Sequence, residues 1–466
     1  MPNTACSLFL TAAILRMVRR LSQKPTTGKE CRYMKVRVLK DMTQAEKEFV
    51  LKRAEQDISR QMELAKEVAA DIRAGGDAAV LRYTAKFDGV TLAPDAIRVT
   101  PEEIEAGYHR LDAETREAIT YAAKNIRNFH EKQMPEEMWF TNVDKGLMVG
   151  EKTTPIADVC LYVPRGKGSF PSVLLMLGIP AVVAGVPKIC VVTPPNEQGG
   201  CDDAILAAAK IIGIQNIYKV GGIQAVAAVA YGTETIPKCH KIIGPGNSYA
   251  TAAKRVLAGQ IDSGLPAGPS EVIILADEFA DPEKAALDVM IEAEHGPDSA
   301  ALLVTHSREL VDRVLPIIER QLPKLSEKRR SFIQTNFETY GGVILTESLE
   351  ESIDFVNEYA PEHMEVMTQN PFAVLEKIKN AGEILLGDYT PVTLCNFVLG
   401  PNAILPTGGF AKTYSSVSVM DFLKRSSIGY ASREGFMNVR GHASRIARVE
   451  GFDAHALAVE ERSTDR

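Results

Sequence analysis

From residue 157 onward, short apolar runs alternate with segments that have a helical pattern. Such alternation predicts βαβ units, in which helices join parallel strands. A second series of the same kind begins near residue 271. The first series predicts strands at 158–163, 188–193, 217–220 and 241–243, with helices at 171–184, 202–213 and 223–231. The pattern therefore predicts an α/β fold of two Rossmann-like domains with parallel sheets.

The segments outside this alternation carry helical patterns. Apolar side chains in residues 42–75 recur with the 3.6-residue period of a helix, and residues 101–110 and 113–131 are similar. The end of the chain, from Val419 to Glu461, is mostly amphipathic with the same period. We therefore expect small helical parts at the N- and C-terminal ends.

Charge and composition exclude several classes of partner. The 466 residues carry a formal net charge of -7, which gives the chain no electrostatic reason to bind nucleic acid or an anionic membrane. The apolar run at residues 7–15 is too short to cross a bilayer, which needs about 20 residues. The seven cysteines are scattered without a CxxC pair and predict no thiolate metal site. These features predict a cytoplasmic protein without nucleic-acid or membrane partners.

Residues 1–33 combine a short apolar run with several basic residues, unlike the sequence that follows. The basic residues Arg16, Arg19 and Arg20 follow the apolar run, whereas a signal peptide has its basic residues in front. Two interpretations stay open: a leader such as a transit peptide, or an over-long N-terminus with the true start near Met34.

Two glycine-rich turns predict a ligand crevice in the first α/β series. Gly244-Pro-Gly-Asn247 lies between a predicted strand and a predicted helix, where backbone N–H groups can face an anion such as a pyrophosphate. The match to GxGxxG is incomplete because Tyr249 replaces the third glycine. Gly221-Gly222 repeats the arrangement one unit earlier. Turns at adjacent strand ends of one sheet indicate a shared crevice, although a plain tight turn is the alternative for each.

Three segments that contain a histidine predict metal-binding or proton-transfer sites. Glu292 and His295 are three residues apart on a predicted helix, so one face offers a carboxylate and an imidazole, which is half of a zinc site. Glu362 and His363 follow a proline at a predicted element start, and adjacent residues suit a base and its partner better than a chelate. His455, in the tail, is a further candidate ligand. Surface side chains without a function are the alternative in each case.

Six motifs extend over about residues 40–462. They resemble the motifs of histidinol dehydrogenases, in the same order and with similar spacing, which makes a chance match negligible. The motifs are Gly244-Pro-Gly-Asn247, Ala252-Ala-Lys-Arg255, Ala267-Gly-Pro-Ser-Glu271, Ala293-Glu-His-Gly-Pro-Asp298, Ala360-Pro-Glu-His363 and Glu450-Gly-Phe-Asp-Ala-His455.

The resemblance implies an NAD-dependent dehydrogenase with one zinc per site, which oxidises a small polar primary alcohol through an aldehyde to a carboxylic acid. It also implies a homodimer in which the tail of one subunit completes the active site of its partner. The expected parts are a leader or over-long N-terminus (1–33), a helical N-terminal arm (34–58), an α/β domain carrying zinc and catalytic residues (59–161 and 271–417), an inserted α/β NAD-binding domain (162–270) and a helical C-terminal tail (418–466).

The site residues that the resemblance implies follow the motifs position by position. Glu362 would activate water and His363 would be the general base. The NAD-contacting positions are Tyr162, Gln224 and Asn247. The substrate-contacting positions include Ser270 and Glu450. The zinc ligands, which with His363 also face the substrate, are Glu292, His295, Asn396 and His455.

Two zinc positions depart from the family pattern. Glu292 stands where the family has Gln, and Asn396 stands where it has Asp. Both ligand sets carry one negative charge and offer only oxygen and nitrogen donors, which zinc accepts. We therefore expect the zinc to be kept, with the carboxylate moved to the other side of the site; a degraded site is the alternative.

A third departure concerns the substrate. Ala403 stands where the family has a histidine that contacts histidinol, and alanine can neither hydrogen-bond nor carry a charge. One hypothesis is a histidinol dehydrogenase, and a second is a paralogue that oxidises another diol, an amino alcohol or a hydroxy-sulfonate. A third is an inactive ligand-binding protein on the same fold, and the intact pair of Glu362 and His363 argues against it.

Overall fold

The strands form three sheets in the computed structural model, which describes residues 34–53, 58–165, 168–266 and 268–462. The predicted leader, residues 1–33, lies outside the described residues. The strands are β1 (Val36–Val38), β2 (Met138–Asp144), β3 (Leu147–Pro155), β4 (Val159–Tyr162), β5 (Ile189–Thr193), β6 (Ile217–Lys219), β7 (Ile242–Ile243), β8 (Glu271–Ala276), β9 (Ala300–Thr305), β10 (Gly342–Leu345), β11 (His363–Met367), β12 (Glu383–Leu386) and β13 (Leu423–Ala431).

Helices cover the two larger sheets and form most of the C-terminal tail. They are α1 (Gln44–Lys52), α2 (Ser59–Asp88), α3 (Pro101–Arg110), α4 (Ala113–Glu131), α5 (Pro171–Val183), α6 (Asp203–Ile212), α7 (Gly222–Tyr231), α8 (Ser248–Val256), α9 (Pro282–Ala293), α10 (Arg308–Gln321), α11 (Glu327–Glu338), α12 (Leu349–Tyr359), α13 (Pro371–Leu375), α14 (Val392–Phe397), α15 (Arg433–Val449) and α16 (Asp453–Glu460).

The largest sheet has six parallel strands in the order β1-β10-β9-β8-β11-β12. Every residue of its central strands β8 and β9 is buried. Parallel strands that are covered on both faces have such continuous apolar sequences. The sheet therefore forms a rigid platform for residues at its strand ends.

The second sheet has four parallel strands in the order β6-β5-β4-β7. Residues of α2, α7 and α8 share one apolar cluster with this sheet. Residues of α3 to α6 share another with it. Two parallel α/β sheets are therefore present, which confirms the predicted fold class.

Helices α3 and α4 have the bounds that the sequence predicted. Each begins directly after a residue whose side chain caps its first turn. Thr100 forms a capping box with Glu103 at the start of α3, and Asp112 accepts a hydrogen bond from Thr115 N at the start of α4. A side-chain oxygen that accepts from the free N–H groups of the first turn fixes where a helix begins.

The structure corrects the predicted grouping of residues 59–161 with residues 271–417. Helices α2, α3 and α4 pack on the four-stranded sheet, with close contacts to α6, α7 and α8. Amphipathic periodicity shows that a helix has an apolar face but does not show which sheet that face will cover. These helices therefore belong with the predicted NAD-binding sheet.

The two ends of the chain also differ from the prediction of purely helical parts. The arm at 34–58 contains β1, which pairs with β10 from Val36 opposite Val343. The tail at 418–466 begins with β13, which pairs antiparallel with β3 in a three-stranded sheet that β2 completes. Both pairings join distant parts of the chain, so a local sequence window does not reveal them.

Among the described residues, no helix combines the length and the apolar character that crossing a bilayer requires.

Candidate active site

The amino ends of three neighbouring strands bring buried polar residues together. Glu271, His363 and Glu383 are the first residues of β8, β11 and β12. His363 pairs in register with Val272 on one side and with Glu383 on the other. Glu362 precedes His363, as expected for residues at an element start. Pairing on both sides therefore holds the backbone of His363, the predicted base, in a fixed position.

Glu292 lies in the last turn of α9, and its carboxylate is the centre of the site. Its side chain is only 1% exposed. Oε2 lies 3.1 Å from His295 Nδ1, and Oε1 accepts a hydrogen bond from Asn396 Nδ2 at 3.0 Å. Oε1 also lies 4.0 Å from His363 Nε2. Three of the four predicted zinc ligands therefore converge beside the predicted base.

His295 lies just beyond the helix on which it was predicted. Helix α9 ends at Ala293, and Glu294 is its C-cap. His295 N nevertheless donates to Glu292 O at 3.2 Å, so one more turn follows the last helical residue. That turn keeps the imidazole beside the Glu292 carboxylate.

The chemistry of these donors fits a divalent cation such as zinc. A buried carboxylate needs a counter-charge, and a carboxylate oxygen, an imidazole nitrogen and an amide oxygen are donors that zinc accepts. In the described ranges, no group of three or more His, Cys, Asp and Glu side chains is arranged to hold a metal. The third donor would be the side-chain oxygen of Asn396, whose Nδ2 donates to Glu292 in this structure. Three donors leave one position of a tetrahedral site for a ligand from elsewhere.

Burial and neighbouring carboxylates shift the pKa of both residues of the predicted proton-transfer pair. Burial raises the pKa of Glu362 to about 8; His363 opposes this rise, and Glu292 and Glu271 add to it. Burial lowers the pKa of His363, but Glu383, Glu362 and Glu292 outweigh it and raise the value to about 10. Such perturbed groups are typical of sites that move protons.

The two oxygens of Glu362 have different surroundings. Oε2 accepts a hydrogen bond from Glu271 N at 2.8 Å, which anchors the carboxylate to β8. Oε1 lies 3.9 Å from His363 Nε2. This separation is too long for a direct hydrogen bond and suits one bridging water or substrate oxygen.

The predicted cofactor turns lie at opposite edges of the four-stranded sheet. Gly222 follows β6 and Gly244 follows β7, with β5 and β4 between them, which corrects the expectation of adjacent strand ends. Tyr162, at the end of β4, connects the two sides, since its hydroxyl accepts a hydrogen bond from Gly222 N at 2.9 Å. A Cβ on Gly244 would lie 2.2 Å from Tyr162 O, so only glycine fits there.

The other two predicted NAD-contacting residues have partners within the chain. Gln224 is fully buried and donates from Nε2 to Asp88 Oδ2 at 3.0 Å. Burial raises the pKa of Asp88 to about 6, and the hydrogen bond from Gln224 opposes that rise. Asn247 is the N-cap of α8 and accepts hydrogen bonds from Tyr249 N and Ala250 N. Asn247 thereby fixes the start of a helix whose N–H groups face the turn.

The predicted tail residues lie on exposed surface. Glu450 is the exposed C-cap of α15. His455 on α16 is exposed and contacts Phe452, the N-cap residue of that helix. Ser270 is half-buried and directly precedes β8. Ser270 is thus adjacent to Glu271, whose N–H anchors the Glu362 carboxylate, whereas the two tail residues lie on the outer surface of the subunit.

The loop before Ala403 is fixed by a buried amide. Asn402 Nδ2 donates to Met176 O at 2.5 Å and lies 3.2 Å from His130 Nε2, and its Oδ1 accepts from Ile404 N at 2.9 Å. Ala403 is partly buried against the apolar cluster of the four-stranded sheet. A methyl group therefore occupies the position of the expected substrate histidine.

Sequence reasoning missed several buried residues that support Glu362. Arg53 forms a 3.0 Å ion pair with Glu271 and lies 3.7 Å over the ring of Tyr359. Its Nη2 donates to the carbonyl oxygens of Tyr359 and Ala360. Ala360 has φ +54, a strained value for a residue with a Cβ. Arg53 is about 300 residues away in sequence, so no local signal links it to the site.

A family model and several curated relatives match most of this chain. The family model described as histidinol dehydrogenase matches residues 51–463. A protein named histidinol dehydrogenase from Synechocystis sp. is 50% identical over 411 residues, covering 88% of this chain and 95% of its own length. A protein named histidinol dehydrogenase homolog 2 from Mesorhizobium japonicum is 48% identical over 424 residues, covering 91% and 96%.

A solved structure is similar over nearly the whole chain. The crystal structure of histidinol dehydrogenase from Elizabethkingia anophelis superposes with a TM-score of 0.87 at 36% identity. The match covers 92% of this chain and 97% of that one. The arrangement of the two parallel sheets is thus shared with a solved structure of that name.

Proposed function

This chain belongs to the histidinol dehydrogenase family of NAD-dependent oxidoreductases acting on CH–OH groups, and we propose that it oxidises a small polar primary alcohol at the Glu292 site. The product would be a carboxylic acid formed through an aldehyde, as is general for this family. The observation that carries the proposal is the convergence of Glu292, His295, Asn396 and His363.

Glu292, His295 and Asn396 would hold a zinc ion, with His455 of a partner subunit as the fourth ligand. Zinc, when bound, supplies a positive centre that orients the alcohol oxygen and lowers the pKa of its hydroxyl. The exposure of His455 within its own subunit supports a role across a dimer interface. Glu450, on the same tail, would contact the substrate with Ser270.

His363 would act as the general base through Nε2. This atom faces Glu292 Oε1 at 4.0 Å and Glu362 Oε1 at 3.9 Å, so a substrate oxygen between them is within reach of all three. Glu362 would take a proton from the water that converts the aldehyde to the acid. Its anchored Oε2 keeps Oε1 aimed at this space.

NAD would bind along the turns that follow β4, β6 and β7. Its nicotinamide, when bound, accepts the hydride that leaves the alcohol carbon. Tyr162 and Gln224 would form the wall of the crevice, and Asn247 would hold the start of α8 toward the pyrophosphate.

A substrate other than histidinol is the second candidate. Ala403 gives no hydrogen bond or charge at the position where the family contacts the substrate with histidine. A diol, an amino alcohol or a hydroxy-sulfonate would not need that contact. The inactive-protein hypothesis has no support from the site, because the base and its neighbouring carboxylate are buried and anchored.

A screen of small alcohols with NAD and the zinc-loaded protein tests the proposal. Reduced nicotinamide should appear with at least one alcohol, and His363→Ala should slow its formation by about 100- to 10,000-fold. NAD binding, measured by calorimetry, should persist in that variant. His109→Ala, on an exposed histidine of α3, is the matched control and should turn over normally. Turnover by His363→Ala at the normal rate would exclude this residue as the base.

A further inference from the structure

Glu383 is a buried carboxylate that contacts His363 from the side away from the proposed substrate. Its Oε1 is hydrogen-bonded to His363 Nδ1, and its Oε2 accepts a hydrogen bond from Cys395 Sγ. The Glu383 side chain is 6% exposed and that of His363 is 4% exposed. Glu383 did not emerge from the sequence motifs, and the mechanism above does not use it.

Strand pairing places the two side chains next to each other. His363 and Glu383 are directly opposite in the parallel pair of β11 and β12, so their side chains leave the same face of the sheet. Glu383 N also donates to Glu362 O at 3.0 Å. The distance between the imidazole and this carboxylate is therefore set by the sheet rather than by a flexible loop.

The contact with Glu383 determines which ring nitrogen of His363 can accept a proton from the substrate. In the neutral ring, a carboxylate at Nδ1 favours the tautomer with the proton on that atom, which leaves the lone pair on Nε2. Nε2 is the atom that faces Glu292 and Glu362. Without the carboxylate, the ring could rotate about its χ2 bond or carry its proton on the other nitrogen.

We propose that Glu383 is a positioning residue that fixes the ring orientation and tautomer of His363, and that the Cys395 thiol holds the Glu383 carboxylate in place. This inference rests on the proposed function of His363. It assigns Glu383 no contact with substrate, cofactor or metal. The effect should therefore appear in the rate of the chemical step and not in the binding of substrate.

Steady-state kinetics of Glu383→Ala in the zinc-loaded full chain test the proposal. We expect kcat to fall on the order of 100-fold, with KM for the alcohol and the zinc content nearly unchanged. Glu383→Gln should recover part of the loss, because its amide oxygen can still accept from Nδ1–H. Glu376→Ala, on an exposed glutamate after α13, is the control and should be normal. An unchanged kcat for Glu383→Ala would overturn the proposal.

A double variant separates positioning from a general loss of structure. If Glu383 acts through His363, Glu383→Ala should cause no further loss of residual turnover in a His363→Ala background. Additive losses would contradict the proposal. Cys395→Ala should lower kcat less than Glu383→Ala does, and Cys395→Ser should restore it; equal effects of the alanine and serine variants would remove Cys395 from the assignment.

A crystal structure of Glu383→Ala, or of Glu383→Gln if the alanine variant does not fold, gives a readout that does not depend on activity. We expect the His363 ring to rotate or to occupy two orientations in the alanine variant and to stay in place in the glutamine variant. An unmoved ring in the alanine variant would overturn the inference. Failure of the proposed function would instead appear as absence of turnover by the unsubstituted protein with every alcohol.

Discussion

Glu292 Oε1 lies 4.0 Å from His363 Nε2, and both side chains are almost fully buried. Glu292 lies in the last turn of a helix and His363 begins a strand, so two rigid elements set the distance between them. A gap of this length accommodates a single oxygen atom between the two groups. The proposed metal ligand and the proposed base therefore face the same small space.

Removal of the Glu292 carboxylate should abolish zinc binding. Glu292→Ala deletes the only charged donor among the three that converge, so its zinc content after dialysis should fall from close to one ion per subunit to nearly none. Zinc should raise the melting temperature of the unsubstituted protein, because a ligand of the native state stabilises it, and should not raise that of the variant. Glu294→Ala, two residues further on, is the control. Full zinc content in Glu292→Ala would refute the ligand assignment.

Loss of the Asn402 amide should destabilise the protein. Asn402→Ala leaves the buried Met176 carbonyl and Ile404 N–H without this partner, which typically costs about 1–3 kcal/mol for each unsatisfied group. Urea unfolding should show a lower midpoint with an unchanged slope. Asn128→Ala, on an exposed asparagine of α4, should unfold like the unsubstituted protein. Equal midpoints for both variants would contradict the structural role of Asn402.

Lys254 should make stability depend on pH in the alkaline range. Burial lowers the pKa of Lys254 to about 8, and its Nζ donates to Gly244 O at 2.6 Å. Between about pH 8 and the ordinary lysine pKa of 10.5, the unfolded chain keeps a proton that the folded chain has lost. The contribution of Lys254 to the free energy of unfolding therefore rises with pH across this window, by on the order of 3 kcal/mol at most.

Urea unfolding of the unsubstituted protein and of Lys254→Met at several pH values measures that contribution. The difference between their unfolding free energies should change in favour of the unsubstituted protein as pH rises from 8 to 10.5. Lys132→Met, on an exposed lysine, should show a constant difference. A constant difference for Lys254→Met as well would mean that the lysine has its ordinary pKa in the folded chain.

Mixed dimers test whether the tail completes the site of a partner subunit. His363→Ala and His455→Ala should each be inactive alone. In a dimer of one chain of each kind, one site has an intact His363 and receives His455 from the other chain. A 1:1 mixture that reassociates at random should recover roughly a quarter of normal activity. No recovery, despite mass-spectrometric detection of mixed dimers, would show that His455 does not act across the interface.

Local sequence patterns predicted most of the helices and strands, and the family motifs supplied the candidate site residues. The capping residues Thr100 and Asp112 set helix starts that a short window reveals. The proline before Glu362 and His363 predicted the start of an element there, and strand β11 begins at His363. These features depend on residues that are close together in the sequence, so the sequence alone is enough to predict them.

Which distant elements pack or pair with each other is visible only in the tertiary structure. Only the folded chain shows that α2 to α4 cover the four-stranded sheet, that β1 and β13 join sheets, and that Arg53 supports the turn before Glu362. The contact of Glu383 with His363 depends on the register of β11 with β12, which no local pattern specifies. Sheet register and packing are set by burial summed over many residues, whereas a motif records only which side chains are available.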